Sequence, residues 1–185
     1  MTDVRHIETP LTDDVVRSLH CGDMVSISGV IYTGRDAAHK IMCERIARGE
    51  SLPVDFHGQV IYYAGPTPTK PGHVIGSCGP TTSGRMDAFT PTIERAGLKG
   101  MVGKGPRSRE VVDCMVKNNV VYFASIGGAA AVIASSVREC EVVAYDELGP
   151  EAVRRLVVKD YPCIVAIDSA GNDIYEQGPA RFRID

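Results

Sequence analysis

Three short segments combine glycine with a cation or a hydroxyl: Thr33-Gly34-Arg35-Asp36, Gly79-Pro80-Thr81-Thr82-Ser83-Gly84-Arg85, and Gly103-Lys104-Gly105. Glycine lets backbone approach a ligand closely, and the helix start expected after each segment offers free N–H groups and a positive dipole end, so such junctions favour anions. An arginine fork grips a carboxylate through two parallel hydrogen bonds, whereas lysine supplies a mobile point charge. Arg35, Arg85 and Lys104 together therefore suit a small molecule with two carboxylates. The plainer reading of Arg35 and Asp36 is an ion pair at a helix start.

Thr81 and Thr82, flanked by Pro80 and Gly84, are candidate proton handlers or carboxylate donors. Threonine before a helix is also an ordinary cap, and its hydroxyl is a poor base unless its surroundings ease proton loss or relay. His39 lies four residues after Arg35, on the same helical face, and reads as a supporting or capping residue. His6, His20, His57 and His73 are isolated, and no pair has metal-ligand spacing. The run around Lys104 lacks the GxxxxGK[ST] spacing of a nucleotide phosphate loop, and Pro106 follows closely.

The elements that must carry these residues alternate between strand and helix patterns, which predicts an α/β domain without internal repeat or linker. A strand is expected over 24–32, then a helix in which Ala37, Ala38, Ile41, Met42, Ile46 and Ala47 form an apolar stripe. Further strands are expected over 59–65, 120–125, 141–147 and from Cys163, with helices over 108–119, 127–137 and 149–157. Continuous β-branched runs suggest strands covered on both faces. The 185 residues, 44% hydrophobic, suffice for one compact domain spanning 1–185. Net charge is −3 with interspersed signs, so nucleic acid is not an expected partner. No apolar run reaches a membrane span and no signal sequence is evident, which predicts a soluble, cytoplasmic protein. The six cysteines, Cys21, Cys43, Cys78, Cys114, Cys140 and Cys163, are widely spaced without CxxC, as expected of reduced, mostly buried residues rather than cluster or zinc ligands.

Taken in order, TGRDAAHK, GESLPVDFHGQVIYYAGP, GPTTSGRMD, GMVGKG and VYFASIGGAAA resemble the β subunit of two-subunit class I fumarases and L(+)-tartrate dehydratases, and the C-terminal domain of single-chain class I fumarases. The resemblance covers nearly the whole chain. It implies a swivelling β/β/α domain, a layered sheet with helices, and a hydro-lyase that reversibly hydrates a C4 dicarboxylate, fumarate to L-malate, or that dehydrates L(+)-tartrate to oxaloacetate. It further implies a 4Fe–4S cluster ligated by a partner α subunit, whose open iron acts as Lewis acid on the substrate. By motif, Arg35, Arg85 and Lys104 would bind the carboxylates, assisted by Thr82, and Thr81 would take the C3 proton, opposed by an acid of the partner. Asp36 and His39 would support them. Pro106 after GKG is a local variation. Activity is then expected only in a hetero-oligomer, with homodimeric contacts also allowed. A non-catalytic dicarboxylate-binding or assembly module is the competing class.

Overall fold

The computed structural model describes residues 4–125 and 130–182. Seven strands form one sheet in the order β1-β2-β3-β4-β5-β7-β6, with an additional β2–β7 pairing. The strands are β1 (Arg5–Glu8), β2 (Met24–Thr33), β3 (Val60–Tyr62), β4 (Gly100–Gly103), β5 (Val121–Ala124), β6 (Val137–Ala144) and β7 (Val153–Ile167). β1 to β5 run parallel, and β7 is antiparallel to β2, β5 and β6. Because β7 pairs with both β2 and β5, strands β2, β3, β4, β5 and β7 close into a ring, and β1 and β6 are appended to it.

Alternation along the strands separates two cores. Val60, Tyr62, Val102, Val121 and Phe123 point into the ring and meet Ile27, Ile31, Leu156, Tyr161 and Val165. Their neighbours Ile61, Tyr63, Met101 and Tyr122 point outward against Ala38, Met42, Met86, Ile93, Val111 and Met115 of the helical layer. The central strands are buried throughout their lengths, which explains their near-continuous apolar sequence. The helices are α1 (Asp13–Ser18), α2 (Asp36–Ala47), α3 (Thr90–Arg95), α4 (Arg109–Asn118), α5 (Ala130–Ser136) and α6 (Ile174–Phe182). Thr12 and Ser108 accept from Val15 and Val111 and so cap α1 and α4. No helix among the described residues is long and apolar enough to cross a membrane.

The mixed α/β architecture expected from the pattern is present, with three departures. The segment 149–157 is not a helix: a 3₁₀ turn over Asp146–Glu151 leads directly into β7. Val153, Leu156 and Val158 are buried while Arg154, Arg155 and Val157 are partly exposed, so β-branched residues beside a partner strand override the helix-like spacing. A β6–β7 hairpin therefore replaces the strand–helix–strand step expected there, and α6 follows it. Lys104 does not sit at a helix start, since α4 begins only at Arg109. The predicted helix over 127–137 is present from Ala130, and residues 127–129 lie outside the described residues.

Candidate active site

The C-terminal ends of parallel strands β2, β3 and β4 deliver the three glycine-bearing segments to one edge of the ring, where α/β proteins place ligands. Gly34 N–H donates to Tyr62 O at 3.1 Å and Thr81 N–H donates to Tyr63 O at 2.7 Å, so both segments are fastened to the end of β3. From inside the ring, the Tyr62 hydroxyl donates to Cys78 O at 2.7 Å and holds the approach to Thr81.

Asp36 joins the two arginines. Its Oδ1 accepts from Arg85 Nε at 2.9 Å, and its Oδ2 lies 3.8 Å from Arg35 Nη2. Using Nε for this contact leaves the Nη edge of Arg85 directed away from Asp36, and the side chain is 49% exposed. Arg35 occupies the N-cap position of α2, and Glu151 Oε1 lies 3.4 Å from its Nη2. Gly65 closes over this guanidinium, because a Cβ there would stand 3.0 Å from Arg35 Nη1 and from Pro150 O.

Behind the arginines, His39 is buried on α2, and its Nδ1 is 2.9 Å from Arg35 O. A carbonyl only accepts, so Nδ1 carries the proton and Nε2 is the bare nitrogen. Desolvation lowers the His39 pKa to about 4, which keeps the ring neutral at physiological pH.

Lys104 is connected by backbone. It forms an isolated parallel bridge with Thr82, and Ser83 N–H donates to Lys104 O at 2.9 Å. The buried Ser83 hydroxyl accepts from Lys104 N at 3.0 Å and contacts the Tyr122 hydroxyl at 2.8 Å, which in turn donates to Gly105 O at 2.9 Å. A Cβ on Gly103 would overlap the Ser83 hydroxyl, so this crossing requires glycine. Among the described residues neither Thr81 nor Thr82 uses its hydroxyl in a hydrogen bond, and Thr82, which precedes the 3₁₀ turn Ser83–Met86, does not form the capping bond.

The structure thus brings Arg35, Asp36, Arg85, Thr82 and Lys104 into one chain of contacts, with Thr81 beside Thr82 and His39 beneath Arg35. Three contributors carry no sequence signal of their own, although Ser83 lies within the Gly79–Arg85 segment. Ser83 and Glu151 are described above; the third, Arg107, is buried, with Nε 2.7 Å from Asp87 Oδ1, Nη2 2.7 Å from Thr90 Oγ1, and its guanidinium 5.2 Å from the Tyr63 and Tyr122 ring centres. It ties the segment after Lys104 to the residues after Arg85. Cavities of about 390 and 360 Å³ lie along residues 67–77 and 131–137, and neither is lined by Arg35, Arg85 or Lys104. Arg85 and Lys104 are exposed and the Arg35 side chain is 21% exposed, so the cations face solvent to different degrees.

Of the cysteines, Cys78, Cys114 and Cys163 are buried and Cys21, Cys43 and Cys140 half-buried. Burial pushes the thiols of Cys78 and Cys114 up to about 12, so they are protonated at neutral pH. Among the described residues, no three His, Cys, Asp or Glu side chains converge as a metal site would require.

The sequence model of the family described as Fumarase C-terminus matches residues 2–178. The chain is 44% identical over 155 residues to the aerobic class I fumarate hydratase of Salmonella typhimurium, covering 83% of this chain and 27% of that protein. It is 39% identical over 158 residues to fumarate hydratase 2 of Leishmania major, covering 84% and 28% respectively. A Methanocaldococcus jannaschii protein with the provisional name L(+)-tartrate dehydratase subunit beta is 43% identical over 173 residues, with 90% of this chain and 89% of that protein aligned. The chain therefore spans little more than a quarter of the fumarate hydratases and nearly all of the β subunit.

Proposed function

Because this chain belongs to the fumarase C-terminus family, we propose that it is the dicarboxylate-clamping β subunit of a class I hydro-lyase that reversibly hydrates fumarate to L-malate. The observation that carries this reading is the Asp36 bridge between Arg35 and Arg85, with Lys104 fastened alongside. Two forks and a mobile ammonium at one edge match the two carboxylates of a C4 diacid. Thr82 adds a free hydroxyl. Arg85 and Lys104, exposed to solvent, need a second surface to exclude water and complete the pocket.

In the dehydration direction a proton leaves C3 and hydroxide leaves C2. Thr81 is the group proposed to accept the C3 proton and to return it during hydration. An unassisted threonine hydroxyl is a poor base, so its own proton must pass onward as the C3 proton arrives, and the partner surface is proposed to supply both this relay and the opposing acid. Asp36 holds Arg85 by Nε so that its Nη edge can meet a carboxylate. Neutral His39 fixes the Arg35 carbonyl without adding charge.

Among the described residues none converge as the 4Fe–4S cluster that the reading implies would require, and we assign the cluster to an α subunit in a hetero-oligomer. We further propose that residues 1–185 form one domain of the swivelling β/β/α type, working in the cytoplasm. A β subunit of L(+)-tartrate dehydratase is the second reading, favoured by the 89% coverage of the archaeal protein.

Reconstitution with a cluster-bearing α chain tests both. Turnover of fumarate and malate supports the first reading, turnover of L(+)-tartrate the second, and failure on all three substrates sinks both. Thr81→Ala should lower kcat by about a hundredfold or more, the usual range for a lost general base. Retention of full kcat would remove Thr81 from proton transfer.

A further inference from the structure

Helix α2 begins with an anomaly. Its N-cap residue is Arg35, whose side chain has no acceptor to offer the first-turn N–H groups, and no side-chain cap bond is made there. The missing cap comes from the far end of the chain: Glu151 Oε2 accepts from Ala37 N at 3.0 Å, across 114 residues of sequence. The other oxygen, Oε1, lies 3.4 Å from Arg35 Nη2. One carboxylate therefore holds both the helix start and the guanidinium that the start projects.

Glu151 is itself held firmly. Arg154 donates to Gly149 O at 2.8 Å, Pro150 O at 3.2 Å and Ala152 O at 3.3 Å, which braces the turn carrying it. Thr33 Oγ1, two residues before Arg35, accepts from Arg154 N at 3.0 Å and donates to Ala152 O at 3.2 Å. The β6–β7 turn and the β2–α2 junction thus form one braced unit. Arg35 Nε is buried without a hydrogen-bond partner, so the Nη2 contacts with Glu151 and Asp36 are what orient this fork.

We propose that Glu151 is a positioning residue for the reaction, acting through Arg35: it aims the Arg35 fork at the substrate carboxylate while capping α2. This rests on the dicarboxylate-clamp reading. A purely structural cap would need only Oε2, whereas a positioning role needs the charge of Oε1 as well, and Glu151→Gln separates the two. The glutamine keeps an acceptor for Ala37 N–H and loses the ion pair with Arg35.

The reconstituted complex carrying Glu151→Gln should melt close to wild type, yet lose roughly tenfold in kcat/KM, the scale of one loosened charged contact in the transition state. In an Arg35→Lys background the same substitution should change kcat/KM less than about twofold, because its effect passes through Arg35. Unchanged turnover in Glu151→Gln, or an equal loss in both backgrounds, overturns the proposal. A substrate-free arm uses the 185-residue chain alone: the NMR signals of the Arg35 guanidinium should move toward those of free arginine in Glu151→Gln, and unmoved signals overturn the proposal. A wild-type complex inactive on every C4 dicarboxylate, together with moved Arg35 signals, would instead refute the clamp reading and leave the orienting contact standing.

Discussion

Glu94 and His39 are buried titratable groups whose environments push in opposite directions. Burial of Glu94 on α3 raises its pKa from 4.5 to about 7, with the neighbouring Cys114 thiol and the Arg107 charge opposing the rise. Burial of His39 lowers its pKa from 6.5 to about 4. A folded-state carboxyl that keeps its proton stabilises the chain at low pH, and this contribution is lost as pH rises from 4.5 to about 7. A folded-state imidazole that stays neutral stabilises the chain above 6.5, and this contribution is lost as pH falls toward 4. Between roughly pH 4.5 and 6.5 the folded chain holds the Glu94 proton and the unfolded chain the His39 proton, so the two slopes cancel. Glu94→Gln removes one of them. Its stability should fall by roughly 3 kcal/mol between pH 6.5 and 4.5, at about 1.4 kcal/mol per pKa unit, where these two groups leave the wild-type chain flat. Denaturant titrations at three pH values would show it, and parallel curves for the two proteins would refute the account.

At the level of elements, Gly103 sets how closely β4 passes the segment of Thr81 and Thr82. A side chain there would collide with the Ser83 hydroxyl and displace the Thr82–Lys104 bridge. Gly103→Ala should destabilise the chain by about 1–3 kcal/mol, the usual cost of overpacking, and should impair substrate binding as well as stability. Chemical denaturation measures the first effect and KM of the reconstituted complex the second; normal values of both would show that the crossing relaxes freely. Strands β2, β3 and β5 and helices α2 and α4 were legible in the sequence because burial on both faces leaves continuous β-branched runs, and burial on one face leaves a stripe. β1, with the mixed sequence RHIE, carries no such trace. At the start of β7, Val153, Leu156 and Val157 repeat at helical spacing, so the sequence there predicts a helix where the structure has a strand. The same limit applies to the site. Arg35, Arg85 and Lys104 announce themselves by glycine neighbours, whereas Arg107 looks like any surface arginine until Tyr63 and Tyr122 close over it. Glu151 acquires its partners only through a contact spanning 114 residues.

For the whole molecule, ring closure predicts where unfolding starts. β2 and β7 are paired along both edges, whereas β1 pairs only with β2 and β6 only with β7. Amide hydrogens in the central stretches of β2 and β7 should therefore exchange slowest, and those on the free edges of β1 and β6 fastest among the strands. Mass-spectrometric exchange would reveal uniform protection if the ring did not act as the stable unit. The position of β1 has a second consequence, for how genes can be arranged. The polypeptide enters the fold along an edge strand outside the ring, so a longer chain can be joined ahead of Arg5 without threading or opening the barrel. Joining such a chain demands no change in the folded unit, in keeping with relatives in which a similar sequence makes up 89% of one protein and 27% of a longer one.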